Sequence, residues 1–180
     1  MSDNNLRIYV SCLASYNNGV LHGAWIQLGD NCEASDIRAE IEEMLKASSV
    51  PGAEEWRIDD YDGFPDLETY DLDVIAEVAI AVHKHGLGAI KAWIEHIGVW
   101  SVKAELDSFE DNYLGQYSSE QEFCEEYLGD RLIAEASKIP ALGQLKLDAY
   151  INWSAITHDA FINYFWSYKE SYGAIHVFSR

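Results

Sequence analysis

Apolar positions along the chain follow a period of two in some stretches and a helical period in others. Leu6 to Leu13 and Leu21 to Leu28 are rich in β-branched and aromatic residues, which predicts two strands. Asn17-Asn18-Gly19 lies between them, and an Asn-Gly pair tolerates the positive φ of a tight hairpin turn. Further on, Ile37, Ile41, Met44 and Leu45 are spaced i, i+4, i+7, i+8 and predict one buried helical face, with Ser35 as its N-cap. Asp36, Glu40 and Glu43 occupy the other face. Pro51-Gly52 interrupts the chain, and Trp56-Arg57-Ile58 with Tyr61 predicts a third strand. These elements describe a small α+β unit over residues 1–70.

The pattern then becomes helical. Leu72 to His85 is apolar at Ile75, Ala79 and Val82 and also at Val74, Val78 and Ala81, so this helix should be buried broadly. Gly86 is a natural C-terminal cap, and Leu87 to Ile97 followed by Gly98 repeats the arrangement. Val102, Leu106 and Phe109 begin a third helical face, completing a helical middle part over 71–111. The last part, 112–180, is mixed. Tyr113 to Tyr117 alternates like a short strand, and Ser119-Glu120-Gln121-Glu122 is a capping box opening a helix that carries Phe123, Tyr127 and Leu128. Pro140 and Gly143 break the chain before a helical stretch around Asp148 to Asp159. Phe161 to Tyr168 and Ala174 to Phe178 predict a terminal hairpin. The fold class is α+β.

Charge changes the picture more than size does. Among 180 residues, 12 Lys and Arg face 31 Asp and Glu, a net of −19. A disordered acidic chain is poor in aromatics, whereas here 13% of residues are aromatic and 48% hydrophobic, enough to build cores. So negative a surface repels phosphate, which excludes ordinary nucleic-acid binding. No apolar run approaches the 18 or so residues of a membrane span. The N-terminus lacks a basic stretch followed by an apolar one, so a cytoplasmic location is expected. Cys12, Cys32 and Cys124 are odd in number and widely spaced, neither a disulfide framework nor a zinc pattern.

Catalytic chemistry finds little support. Carboxylate doublets occur at Glu42-Glu43, Glu54-Glu55, Asp59-Asp60, Glu110-Asp111 and Glu125-Glu126. An acid/base pair must converge on one cleft, whereas neighbours diverge around a helix and face opposite ways along a strand. Asp59-Asp60-Tyr61-Asp62-Gly63 hints at a calcium loop, but no register places the glycine and the closing glutamate correctly. His83 and His85 are two apart at a helix end, too divergent to share a metal and well placed for the negative dipole end. There is no phosphate loop, nucleophile elbow or Cys/His constellation. Neither a metal nor a cofactor is called for.

What stands out is how the acids are arranged. Between Glu54 and Asp73 nine acids (Glu54, Glu55, Asp59, Asp60, Asp62, Asp66, Glu68, Asp71 and Asp73) face Arg57 alone. Between Glu105 and Glu135 ten acids (Glu105, Asp107, Glu110, Asp111, Glu120, Glu122, Glu125, Glu126, Asp130 and Glu135) face Arg131 alone. A solvated surface explains the sign but not the missing lysines, because soluble surfaces normally mix both signs. Carboxylates three or four residues apart on a helix sit roughly 5–6 Å apart, close to the spacing of successive phosphates on a nucleic-acid strand. At one charge per ~1.7 Å of duplex, a net of −19 equals about 32 Å of DNA, or about 65 Å for a dimer. That is the footprint of a large DNA-binding enzyme.

Several stretches resemble the ArdA antirestriction proteins, DNA mimics carried by plasmids and conjugative transposons. Arg7-Ile8-Tyr9-Val10, Tyr16-Asn17-Asn18-Gly19 and Leu21-His22-Gly23-Ala24-Trp25-Ile26 look like that family's opening strand, turn and second strand. Glu54 to Phe64 is similar to its Glu-Glu-aromatic, His-Asp-Tyr, Gly-Phe signature, with Asp59 where His is usual. Phe109-Glu110-Asp111 followed by Tyr113 and Tyr117 fits a third block. The resemblance implies an elongated three-domain protein that dimerises through its C-terminal domain. It places the antirestriction motif at the dimer interface, on Ile139, Ala141, Leu142, Gly143, Leu147, Tyr150, Ile151, Asn152 and Trp153. The family's Tyr-Ile-Asp-Tyr-Glu-Ala…Arg-Asp is here Tyr150-Ile151-Asn152-Trp153-Ser154-Ala155…His158-Asp159, with two acids and one Arg absent.

The expected function is therefore inhibition without catalysis. The chain would occupy the DNA-binding groove of type I restriction–modification enzymes, with the carboxylates above together with Asp36, Glu40 and Glu43 standing in for phosphates. An acidic chaperone or adaptor for basic nucleic-acid-binding proteins shares the charge but not the competition for one groove. A carboxylate-dependent hydrolase would instead depend on one or two residues.

Overall fold

A computed structural model describes residues 5–142, 146–170 and 173–180. The chain divides into two compact units, Met1–Leu106 and Asp107–Arg180.

The first unit is built on a three-stranded antiparallel sheet. β1 (Arg7–Cys12) is the central strand between β2 (Gly23–Gln27) and β3 (Trp56–Asp62), with Ile8 opposite Ile26 on one side and Tyr61 on the other. Ile8, Val10 and Ile26 are buried, as period-two alternation requires of a half-covered sheet. The predicted tight turn after β1 is replaced by a short helix, α1 (Leu13–Asn17). The Cys12 sulfur accepts the Ser15 backbone N–H at 3.4 Å, and the buried Ser15 hydroxyl pairs with that of Ser48 at 2.8 Å. That distant tether favours a helical turn over a two-residue hairpin. Gly19 alone takes the positive φ, at 74°, while Asn18 stays at −94°.

α2 (Ala34–Lys46) buries Ile37, Ile41, Met44 and Leu45, the face read from their spacing, and packs on β1 and β2. It starts two residues earlier than expected. Glu33 is the N-cap; its backbone N–H donates to the Asp36 carboxylate at 3.3 Å, and the Ser35 hydroxyl lies inside the helix, donating to Glu33. α3 (Leu72–His85) and α4 (Leu87–Ile97) follow as predicted, separated by Gly86 at φ 86°. Of the α3 positions expected inside, Ala81 is only half-buried and the rest are buried. α3 packs on α2, and the His83 ring pairs with the Leu28 carbonyl at 2.8 Å.

The third helical face does not form as one helix. Residues Val99–Ser101 and Leu106–Ser108 are single 3-10 turns alternating with α5 (Val102–Glu105) and α6 (Phe109–Asn112). Val102 is buried in the first unit, whereas Phe109 packs on Tyr113 and Phe178 of the second. Their helical spacing therefore serves two different cores.

The second unit has its own antiparallel sheet, ordered β4 (Tyr113–Tyr117), β6 (Ile175–Ser179), β5 (Phe165–Lys169). The terminal hairpin forms, but its first strand is shorter than predicted, because Phe161 to Asn163 end α8 (Trp153–Asn163). Leu147–Tyr150 is a 3-10 turn, and α8 begins only where the Asn152 side chain accepts the Ala155 N–H at 3.2 Å. α7 (Glu120–Ser137) opens on its capping residues: Ser119 Oγ accepts the Glu122 N–H at 3.1 Å, and Glu122 accepts from Ser118 N–H at 2.5 Å. Phe123, Cys124, Ala160, Ile175 and Val177 form the core, with Phe161 and Phe165 set edge-on to Phe123.

Candidate functional site

The acids predicted to matter are carried by every type of element, and the folding of each leaves them at the surface. On α2, burial of Ile37, Ile41, Met44 and Leu45 turns Asp36, Glu40 and Glu43 outward. Partial burial and the neighbouring Glu43 and Asp36 charges push the Glu40 carboxyl up. Asp71 caps α3, accepting N–H bonds from Asp73 at 3.1 Å and Val74 at 3.5 Å, and Asp73 lies in the first turn. Carboxylates there suit the positive end of the helix dipole.

β3 departs from simple alternation. Its pairing with β1 shifts register between Tyr9 and Val10, so Tyr9 lies opposite Asp60 and Val10 opposite Ile58. Asp59 is the extra residue of a bulge, and both Asp59 and Asp60 are exposed. They line one cleft of about 340 Å³ together with Asp66 and Glu68 from the following loop. The expectation that adjacent strand carboxylates face apart is overturned here by the bulge. Tyr61, on the wall of the same cleft, has its phenol pushed up to about 12 by burial and by Asp66, Tyr70 and Glu68. Glu68 takes φ 46°, and its N–H donates to Asp66 at 3.2 Å.

In the second unit, Glu122, Glu125, Glu126 and Asp130 follow one another at helical spacing on α7. Glu125 accepts from Gln121 at 2.7 Å, Glu120 accepts from the Ser167 hydroxyl at 2.7 Å, and the Ser118 bonds hold Glu122 below its usual range. Glu105, Asp107, Glu110, Asp111 and Glu135 are exposed, as are Glu54, Glu55 and Asp62. Of the 22 acids singled out, only Asp71, Glu120 and Glu122 are as much as half-buried. Both units share the charge: 19 acids against 7 bases up to Leu106, a net of −12, and 12 against 5 beyond it, a net of −7.

Many of the few bases are occupied within the chain. Arg7 sits over Trp25 and bonds Asp62 at 2.7 Å; Arg57 sits over Tyr16 and is ion-paired with Asp59 at 2.5 Å. Lys103 reaches Asp71 at 2.6 Å, Lys46 reaches Glu42 at 3.6 Å, and Lys138 pairs with Glu135. Arg131 lies over Tyr127.

The segment predicted to dimerise splits in character. Ile139 (52%) and Tyr150 (75%) are exposed, as are Ala141 and Asn152, while Leu142 and Ile151 are half-buried. Trp153 packs against the core of the second unit. Gly143 and the side chain of Leu147 lie outside the described residues. Among the described residues no group of His, Cys, Asp or Glu is placed to hold a metal ion, and no helix is long and apolar enough to cross a membrane.

Over residues 8–173 the sequence matches the family described as Antirestriction protein (ArdA). The chain belongs to the ArdA antirestriction family. No curated protein matches it. Membership makes the chain an antirestriction protein, an inhibitor of restriction enzymes and not itself an enzyme. It also implies interaction with type I restriction–modification enzymes. For an ArdA protein, the carboxylate doublets need no catalytic reading. One surface residue escaped the sequence reading altogether: Trp100, isolated after Gly98 and exposed at 88%. Its only signal in the chain was a tryptophan in a stretch where helical periodicity fails.

Proposed function

We propose that this ArdA protein inhibits type I restriction–modification enzymes as a DNA mimic, presenting its carboxylates to the DNA-binding groove of the methyltransferase core. The single observation that carries this reading is the combination of outward-facing acids on both units with bases tied to neighbouring acids and rings. An exposed lattice of one sign competes for a cationic groove through its summed potential, so no one carboxylate need dominate. Acids from Asp36 to Glu135 supply that potential, and no cofactor or metal enters. The inhibitor works in the cytoplasm, where its targets meet incoming DNA. It acts as a homodimer joined through the segment from Ile139 to Trp153, whose exposed Ile139 and Tyr150 offer apolar surface.

The test is displacement of duplex DNA from a purified type I methyltransferase. Stoichiometric displacement by the protein, absent with an unfolded chain of identical composition, supports mimicry. Equal displacement by both would leave only a charge effect, as for an acidic adaptor, and would overturn it.

A further inference from the structure

Within the first unit two exposed rings each carry a guanidinium that a carboxylate also holds. Arg7 lies 4.5 Å from the Trp25 centroid and 2.7 Å from Asp62; Arg57 lies 4.7 Å from the Tyr16 centroid and 2.5 Å from Asp59. Aromatic face, guanidinium and carboxylate form a repeated set of three. The planar guanidinium suits it, because it stacks on a ring while its charged edge faces an acid.

Trp100 repeats the set without the guanidinium. It stands at 88% exposure beside a cleft of about 200 Å³ whose floor is the buried Leu67, Val74 and Val102. Glu68, Asp71 and Lys103 line the same cleft. Among the described residues no cation or second ring lies on the indole. Asp71 is bound to Lys103, but Glu68 has no ion-pair partner among the described residues. An indole so exposed leaves a large apolar face in water, and tryptophan is among the residues that most often dominate an interface.

We propose that Trp100 and its cleft receive an arginine side chain from the DNA-binding groove of the target enzyme. This rests on the DNA-mimic reading and adds a defined anchor to it. The occupant follows from charge complementarity. The cleft's free carboxylate and the net −12 of the unit favour a cation and repel a second acidic copy of this chain. The groove that binds DNA is where such cations are concentrated. The guanidinium covers the indole, its stem lies over Leu67 and Val102, and its edge donates to Glu68. A DNA-mimicking surface would thereby hold one contact that salt weakens less than the surrounding carboxylates.

The test uses the full-length protein and a purified type I methyltransferase, reading displacement of duplex DNA at two salt concentrations. Trp100→Ala should weaken inhibition about tenfold or more, with Trp100→Phe and Trp100→Tyr within about threefold of wild type. Trp100→Leu, apolar but without a π face, should fail like alanine. Thermal unfolding of each variant should match wild type, because Trp100 packs on little. Wild-type inhibition by Trp100→Ala would overturn the anchor alone. Retained inhibition by Trp100→Leu would mean an apolar occupant and would also overturn it. Failure of the wild-type protein to displace DNA would remove the DNA-mimic reading and the anchor together.

Discussion

The indole of Trp153 crosses Gly129 in the middle of α7, its six-membered ring 3.5 Å from where a Cβ on that glycine would stand. This is ordinary van der Waals separation. Gly129→Ala therefore fits without displacement and removes the helical penalty of glycine. It should raise stability by up to about 1 kcal/mol. Trp153→Ala removes the ring that joins α8 to α7 and should cost about 2–3 kcal/mol, less than a fully buried tryptophan because Trp153 is half-buried. Urea denaturation of both variants measures this, and a destabilised Gly129→Ala would contradict the packing.

Tyr150 separates association from folding. At 75% exposure its ring contributes little within the chain, so Tyr150→Ala should leave stability unchanged within about 0.5 kcal/mol. If the segment from Ile139 to Trp153 forms the dimer, the same substitution shifts the mass seen in sedimentation equilibrium toward the monomer. An unchanged dimer constant would move the interface elsewhere.

Asp71 links stability to pH. The Lys103 side chain hydrogen-bonded to it, together with the Val74 and Asp73 N–H groups, holds the Asp71 carboxyl below its ordinary value of 3.8. A lowered folded-state pKa means that the stabilisation is complete above 3.8 and is lost as pH falls through the folded value. Asp71→Asn keeps an equally good helix cap and removes only the charge. The stability gap between wild type and Asp71→Asn should therefore be present at pH 7, modest because both groups touch solvent, and should close in strong acid. A gap that widened on acidification would contradict the pairing.

Glu68 holds a left-handed backbone at φ 46°, which costs a residue with a Cβ on the order of 1 kcal/mol. Glu68→Gly should stabilise by about that amount, and Glu68→Asn should fold as well as wild type. Chemical denaturation checks both.

Neutralising acids tests whether the charge is distributed. Any one of Asp59, Asp60 or Asp66 changed to its amide should alter inhibition less than about threefold. Changing all three, which share one cleft, should weaken inhibition by more than any single change. The readout is DNA displacement from a type I methyltransferase. Complete loss from one amide would sink the distributed field.

Most first-unit elements were legible because their signals are local. The spacing of Ile37, Ile41, Met44 and Leu45, the glycines at 86 and 98, and the alternation around Ile8 and Ile26 each report a neighbourhood a few residues wide. The errors fell where a distant partner intervened. Ser48 draws Ser15 into a helical turn, and Phe123 recruits Phe161 from a helix where a strand was expected. Val102 and Phe109 have helical spacing yet pack into separate units. The bulge that turns both Asp59 and Asp60 outward depends on β1, nearly fifty residues earlier.

By itself the sequence determined the sign and density of charge, the amphipathic helices, the aromatic supply for two cores and the family. These are sums or short-range periodicities, which need no knowledge of what lies across the fold. Tertiary structure decided which carboxylates share a cleft, which bases are tied to acids and rings, and that Trp153 packs inward while Tyr150 and Trp100 stay in water. Strand pairing and side-chain burial set those outcomes, and both are fixed by contacts between residues far apart in the chain.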